Sequence, residues 1–219
     1  MRKGGVTFKD AAAIPDDETG IFDWLNLPPG AASVSLWECL HDGCVVSIRS
    51  NLFERSMSVF CEIQHLRVFH QLDAGFQFVL QLDGVQSARV SRYEIWPGEC
   101  SIPPGSSREV ESRLIAEYQA KWREQSFSWE KFEASVTRED EQVFDISDAA
   151  VASSPKGIVA LKLCGHLNYA SYHEVFLRAE RLAISGSDGK EFRLEEFRKL
   201  GEAYWEAFSR RAQSRREGK

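Results

Sequence analysis

Apolar and polar positions change rhythm several times along the chain. From Val34 to Ile95 the rhythm is close to two residues, the period of a β-strand with one covered face. Met57, Val59, Cys61 and Ile63 fall on one side of their segment, with Ser58, Phe60 and Glu62 on the other. Phe76, Phe78, Leu80 and Leu82 likewise alternate with Gln77, Val79 and Gln81. Around 45–50 the sides are mixed: Val45, Ser47 and Arg49 alternate with Val46, Ile48 and Ser50, which fits a sheet with one buried and one partly covered face. Asp83-Gly84 is the strongest hairpin signal, because a type I′ turn needs positive φ. It predicts that Val85, Ala88 and Val90 belong to a returning strand. Residues 34–95 therefore read as an antiparallel meander of four or five strands.

Residues 96–105 carry three prolines and two glycines and end that sheet. Ser106 and Glu109 then form an S-x-x-E capping box. Val110, Leu114, Tyr118 and Trp122 follow at four-residue spacing, which predicts an amphipathic helix over 106–124. Phe127, Trp129 and Phe132 open a charged passage read as a helical turn and a solvated loop. A second β region spans 143–193. Ser154-Pro155-Lys156-Gly157 gives a turn, 166–173 reads as a polar connection, and 174–185 reads as two strand segments or one bulged strand closed by a hairpin at 186–190. The last element, 194–213, is helical, with Leu194, Phe197, Leu200, Tyr204, Trp205 and Phe208 on its buried face. Residues 1–33 read as a loosely structured lead-in.

These elements predict an α+β protein of one domain, mainly antiparallel β-sheet covered by two amphipathic helices. A pseudo-duplication is hinted at. FVLQL…ARVS in the first β region resembles VFLRA…LAIS in the second, and His-Leu occurs at 65–66 and 166–167.

Composition narrows the function classes. A net charge of −6 argues against general nucleic-acid binding. No window approaches the ~18 apolar residues of a membrane span, and the basic start lacks the apolar run of a secretory signal. Five cysteines without repeated spacing favour a reduced, cytoplasmic setting over a disulfide framework.

Candidate chemistry is sparse. No nucleophile elbow, phosphate-binding glycine loop or C-x-x-C pair is present, so no catalytic residue, no metal and no cofactor is expected. His65 and His70 fall on opposite faces if their segment is a strand. Cys164 and His166 share a face at i, i+2, and with His173 they form the weaker candidate cluster, a partial zinc set or a Cys–His dyad. The leading candidate is His41-Asp42-Gly43, between the segments LWEC and CVVSI. It reads first as a turn, and second as a rim at which His41 and Asp42 face a ligand or partner.

The order LHDG, then Val45-x-x-Ile48, a further strand, and Leu80-x-Leu82-x-Gly84-Val85 resembles the small β-rich immunity proteins of bacterial toxin systems, in particular the immunity protein 50 family. The resemblance covers residues 36–90 and transfers no catalytic residue. It implies a non-enzymatic protein whose partner is another protein. The aromatic load of Trp37, Trp96, Trp122, Trp129 and Trp205 favours as alternative a module for a small apolar ligand held between sheet and helices. An enzyme with an unfamiliar His/Asp or Cys/His site is the third option.

Overall fold

The computed structural model describes residues 33–94, 105–110, 113–114, 117, 123–124, 129–137, 143–153, 158–167 and 171–217. The lead-in through residue 32 and the turn at 154–157 lie outside the described residues. The strands are β1 (Ser33–Ser35), β2 (Cys44–Asn51), β3 (Ser56–Glu62), β4 (Phe78–Asp83), β5 (Ser87–Glu94), β6 (Arg123–Glu124), β7 (Phe144–Ser153), β8 (Val159–Leu167), β9 (Ser171–Ala179), β10 (Arg181–Gly186) and β11 (Glu191–Phe192). The helices are α1 (Trp37–Leu40), α2 (Gln64–Phe69), α3 (Trp129–Thr137) and α4 (Leu194–Glu217).

All eleven strands join one antiparallel sheet in the order β11-β10-β4-β3-β2-β7-β8-β9-β5-β6, with β1 on the side of β7. The α+β architecture expected from the pattern is thus present. The sheet also curls back on itself. Only Glu180 separates β9 from β10, and the chain runs from β4 into β5 through residues 84–86. β4 pairs with β10 while β5 pairs with β9, so the two bent strands form one long ribbon that closes the circuit.

Asp83-Gly84 is therefore not the hairpin the dipeptide predicts. Gly84 does take φ +64°, and a Cβ there would meet the Glu180 side chain at 2.5 Å. The chain nevertheless continues instead of reversing: Val85 N–H donates to Arg55 O at 2.7 Å and Gln86 N–H to Arg178 O at 2.8 Å. Positive φ serves a bulge as well as a turn. Both flanks of β4 are already taken, by β3 and β10, so no place remains for a returning strand.

The register shows a duplication. β2-β3-β4-β5-β6 and β7-β8-β9-β10-β11 follow the same path. Each first pair is interrupted by a bulge, at Val46 in β2 and at Ser147 in β7. The two first strands meet at Cys44↔Asp145. Equivalent positions follow from the pairing: Cys61 and Phe78 correspond to Gly165 and His173, and Ala88 and Val90 to Leu182 and Ile184. The segments ARVS and LAIS are thus truly equivalent, whereas FVLQL and VFLRA are two residues out of step. The repeated His-Leu is a coincidence, since one copy lies in α2 and the other in β8.

The bulge at Val46 also explains the mixed pattern of that strand. It resets the alternation, so Val45 and Ile48 both point inward and are buried. Met57, Val59, Cys61, Ile63, Phe78, Leu80 and Leu82 line the same interior, as their alternation predicts. Burying each large side chain contributes about 1.5–3 kcal/mol. Phe197 of α4 packs its ring 5.2 Å from Phe78, and Phe132 of α3 lies 5.6 Å from His173.

Five local expectations change. LWEC is helical, as α1, because Ser35 Oγ accepts from Trp37 N–H at 3.1 Å and starts a turn. Residues 64–69 form α2, not strand, and 129–137 form a full helix whose Phe132 and Val136 are buried. The polar connection over 166–173 is shorter, because His166 and His173 already sit in β8 and β9. In the predicted helix 106–124, Ser107 Oγ accepts from Val110 N–H at 3.4 Å at the start of the helix. Its end is too long, since Arg123 and Glu124 pair with β5. Most of its remaining stripe lies outside the described residues.

Candidate functional site

Between β3 and β4 the chain makes an excursion that carries α2, while only residues 168–170 separate β8 from β9. The excursion meets α1 and α4 and forms an open cleft of about 570 Å³ lined by Asp42, Gln64, His65, Val68, Phe69, Gln71, Tyr204 and Arg211.

Close backbone approach fixes the three helices. A Cβ at Gly201 would lie 2.3 Å from Glu38 O, so only glycine lets α4 cross α1 here. Trp205 Nε1 donates to Glu38 O at 2.9 Å, and Cys39 Sγ donates to Phe197 O at 3.1 Å. His70 closes α2 and donates from Nε2 to Leu200 O at 3.0 Å. Gln71 then takes φ +55°, which ends the helix.

An aromatic cluster forms behind the cleft. Trp37 stacks on His41 at 4.6 Å and on Trp205 at 5.0 Å. His65 lies 4.6 Å from Tyr204 and 5.8 Å from Trp205, and Phe69 meets Tyr204 edge-on at 5.7 Å. Burial pushes the His65 imidazole below its ordinary value, against the opposing pull of Asp42 and the Glu38 carbonyl. His65 Nε2 and Glu38 Oε2 are buried with no hydrogen-bond partner among the described residues. Two side chains stand out toward solvent beside the cleft: Val68 at 63% exposure and Phe208 at 52%.

The turn expected at His41-Asp42-Gly43 is present. Asp42 takes φ +59°, and Gly43 N–H donates to Leu40 O at 3.0 Å. His41 Nδ1 donates to Ser147 O at 2.8 Å, and its Nε2 lies 3.3 Å from Asp42 Oδ1. Asp42 reaches the cleft, whereas His41 supports it through the Trp37 stack. Trp37, His65, Tyr204 and Trp205 were not singled out as site residues by sequence. Their signals, Trp37/His41 and His65/Phe69 at i, i+4, have meaning only on helices, and both segments read as strand.

The cluster Cys164, His166 and His173 does not assemble. Gly165 pairs with His173, so His173 faces inward while Cys164 and His166 face outward. His173 is fully buried and donates from Nδ1 to Ser171 O at 2.9 Å. Cys164 instead neighbours Lys162, which pairs with Glu174 at 3.2 Å. Burial pushes the Cys164 thiol up to about 11 despite the nearby lysine, and Cys39 up to about 12. Neither is an activated nucleophile. Burial also raises the Asp145 carboxyl, against the pull of His166. Among the described residues no group of three or more His, Cys, Asp and Glu is placed to hold a metal ion, and no helix is long and apolar enough to cross a membrane.

No protein-family model, curated protein or solved structure matches the chain.

Proposed function

We propose that the protein is a non-catalytic binding protein that holds a partner protein against the cleft between α2 and α4. One observation carries this: Val68 and Phe208, both largely solvent-exposed, stand on two different helices beside a cleft backed by aromatic rings. Scattered exposed apolar side chains are ordinary, but a grouping around a concave aromatic surface is the usual form of a contact site. The raised thiols of Cys39 and Cys164 support a role without nucleophilic chemistry. The resemblance of residues 36–90 to immunity proteins agrees with it, and Asp42 of the LHDG turn reaches the cleft.

Photo-crosslinking in the native cell tests the proposal. A photoreactive residue placed at 68 or at 208 is expected to capture the same protein, and one placed at Phe53 on the far hairpin to capture none. Equal capture at all three positions, or none at 68 and 208, overturns it.

The cleft volume also favours a small-molecule ligand, since about 570 Å³ falls within the range of about 300–1,000 Å³ common for such sites. His65, Phe69 and Tyr204 supply flat apolar walls. Native mass spectrometry of the purified protein distinguishes the two: a bound small molecule lost in Tyr204→Ala, with no protein crosslinked, selects the ligand.

A further inference from the structure

We infer that the partner segment seated in this cleft is acidic and lays an aromatic or branched aliphatic side chain against the wall formed by Val68, Phe69 and Tyr204. The inference rests on the proposed binding role and specifies the partner's chemistry. It starts from the unequal pairing of cations along α4. Arg193 pairs with Glu196 at 2.6 Å and Arg198 with Glu202 at 3.2 Å, so both arginines of the first turns are neutralised locally, while Lys199 next to Arg198 points to solvent. Arg211 and Arg215 are exposed, and neither forms an ion pair among the described residues. They continue the stripe of Tyr204 and Phe208 at spacings of four, three and four residues, so the apolar side chains and the free cations share one face.

The helix dipole favours cations near a C-terminus but does not select this face. Nor does composition explain them, since the chain carries a net charge of −6. The opposite rim carries the Asp42 carboxylate, so the cleft is basic at one end only, where Arg211 and Arg215 stand. The cleft therefore presents apolar walls with cations at one exit, the complement of an acidic segment with an apolar anchor. A second groove, of about 540 Å³ on the outer face of β4 and β10, lacks this feature, because its Arg181 is paired with Asp83. A nucleic acid would engage the same arginines, but two free cations beside apolar walls fit a peptide better than a phosphate backbone.

The test is selection of phage-displayed random 12-residue peptides on the immobilised full chain. The expected winners carry Asp or Glu beside Phe, Trp or Leu. A synthesised winner should bind at least ~10-fold more weakly to the double variant Arg211→Glu/Arg215→Glu, and exchanging its acids for lysines should restore binding to that variant. Binding lost in Val68→Ser/Phe208→Ser but within twofold of wild type in the arginine variant overturns the acidic partner and keeps the cleft as the site. Binding indifferent to both variants overturns both. Neutral or basic winners, or displacement of the peptide by a 20-nucleotide RNA that depends on the same arginines, also overturn the inference.

Discussion

The two halves of the sheet share a path but not a purpose. β2-β3-β4-β5 and β7-β8-β9-β10 carry bulges at matching places and exchange their outer strands across the ribbon. Equivalent interior layers are Val45, Cys61 and Phe78 in the first half and Ile146, Gly165 and His173 in the second. The halves part at the second connection, between β3 and β4 in one and between β8 and β9 in the other. In the first it is long enough to hold α2, and in the second it is three residues, 168–170. The candidate cleft lies where the symmetry is broken, against α2. Duplication supplies a closed, well-buried frame, and the insertion within one copy supplies the surface that differs. The outer faces differ as well. Lys162, Glu174 and Phe176 occupy positions held by Ser58, Val79 and Gln81 in the first half, where the groove stays open.

The largest effect expected from breaking the comparison is in the interior layer. Phe78→Ala should destabilise by about 3–5 kcal/mol, read from urea unfolding, because a fully buried ring against Phe197 is lost. At the equivalent site, His173→Phe makes the second half resemble the first. It should lose only about 1 kcal/mol, since the Ser171 carbonyl loses its partner while the ring volume is kept. Similar losses for the two would mean that the layers are not equivalent.

Gly165→Ala comes next. Its Cβ would lie 1.9 Å from Asp145 O, a backbone atom held by the β7–β8 pairing, and about 2–3 kcal/mol should be lost. Cys61→Ala at the matching place should lose about 1 kcal/mol. Equal midpoints for the two variants would show that the close approach at Gly165 relaxes freely.

The inserted α2 should add a pH dependence that the second half has no counterpart for. The folded pKa of His65 lies below its ordinary 6.5, so the unfolded chain binds the proton first as pH falls. The contribution of neutral His65 is fully present above pH 6.5 and declines below it. His65→Gln should flatten the stability curve below about pH 6.5. An unchanged slope would place the acid sensitivity elsewhere. The smallest effect is expected on the outer face. Ser58→Lys with Val79→Glu copies the Lys162–Glu174 pair into the open groove and should change stability by no more than about 0.5 kcal/mol.

How much was legible varied with the range of the interaction involved. Strands β3 and β4 were readable because each alternates without interruption against one interior. The hairpin 186–190, the bent strand 174–185 and the helix from Leu194 were readable for the same local reason. β2 was blurred by a bulge that no single residue announces. α1 and α2 were missed because four and six residues give no helical period to see, and their stability comes from contacts with α4. Of the residues lining the cleft, the sequence singled out Asp42, through its turn. It could not find Tyr204, Trp205 or His65, whose chemistry depends on being neighbours.

The sequence by itself determined the fold class, the buried faces of the longer elements and the absence of familiar catalytic spacing, since each of these rests on local periodicity or local chemistry. Only tertiary structure decided that Asp83-Gly84 bends a continuous ribbon, because strands from opposite ends of the chain already flank β4. Only tertiary structure set Cys164 and His166 apart from His173, through the pairing of Gly165 with His173. It also made the cleft, which needs α1, α2 and α4 together, elements that span from Trp37 to Glu217 and meet through contacts no local pattern encodes.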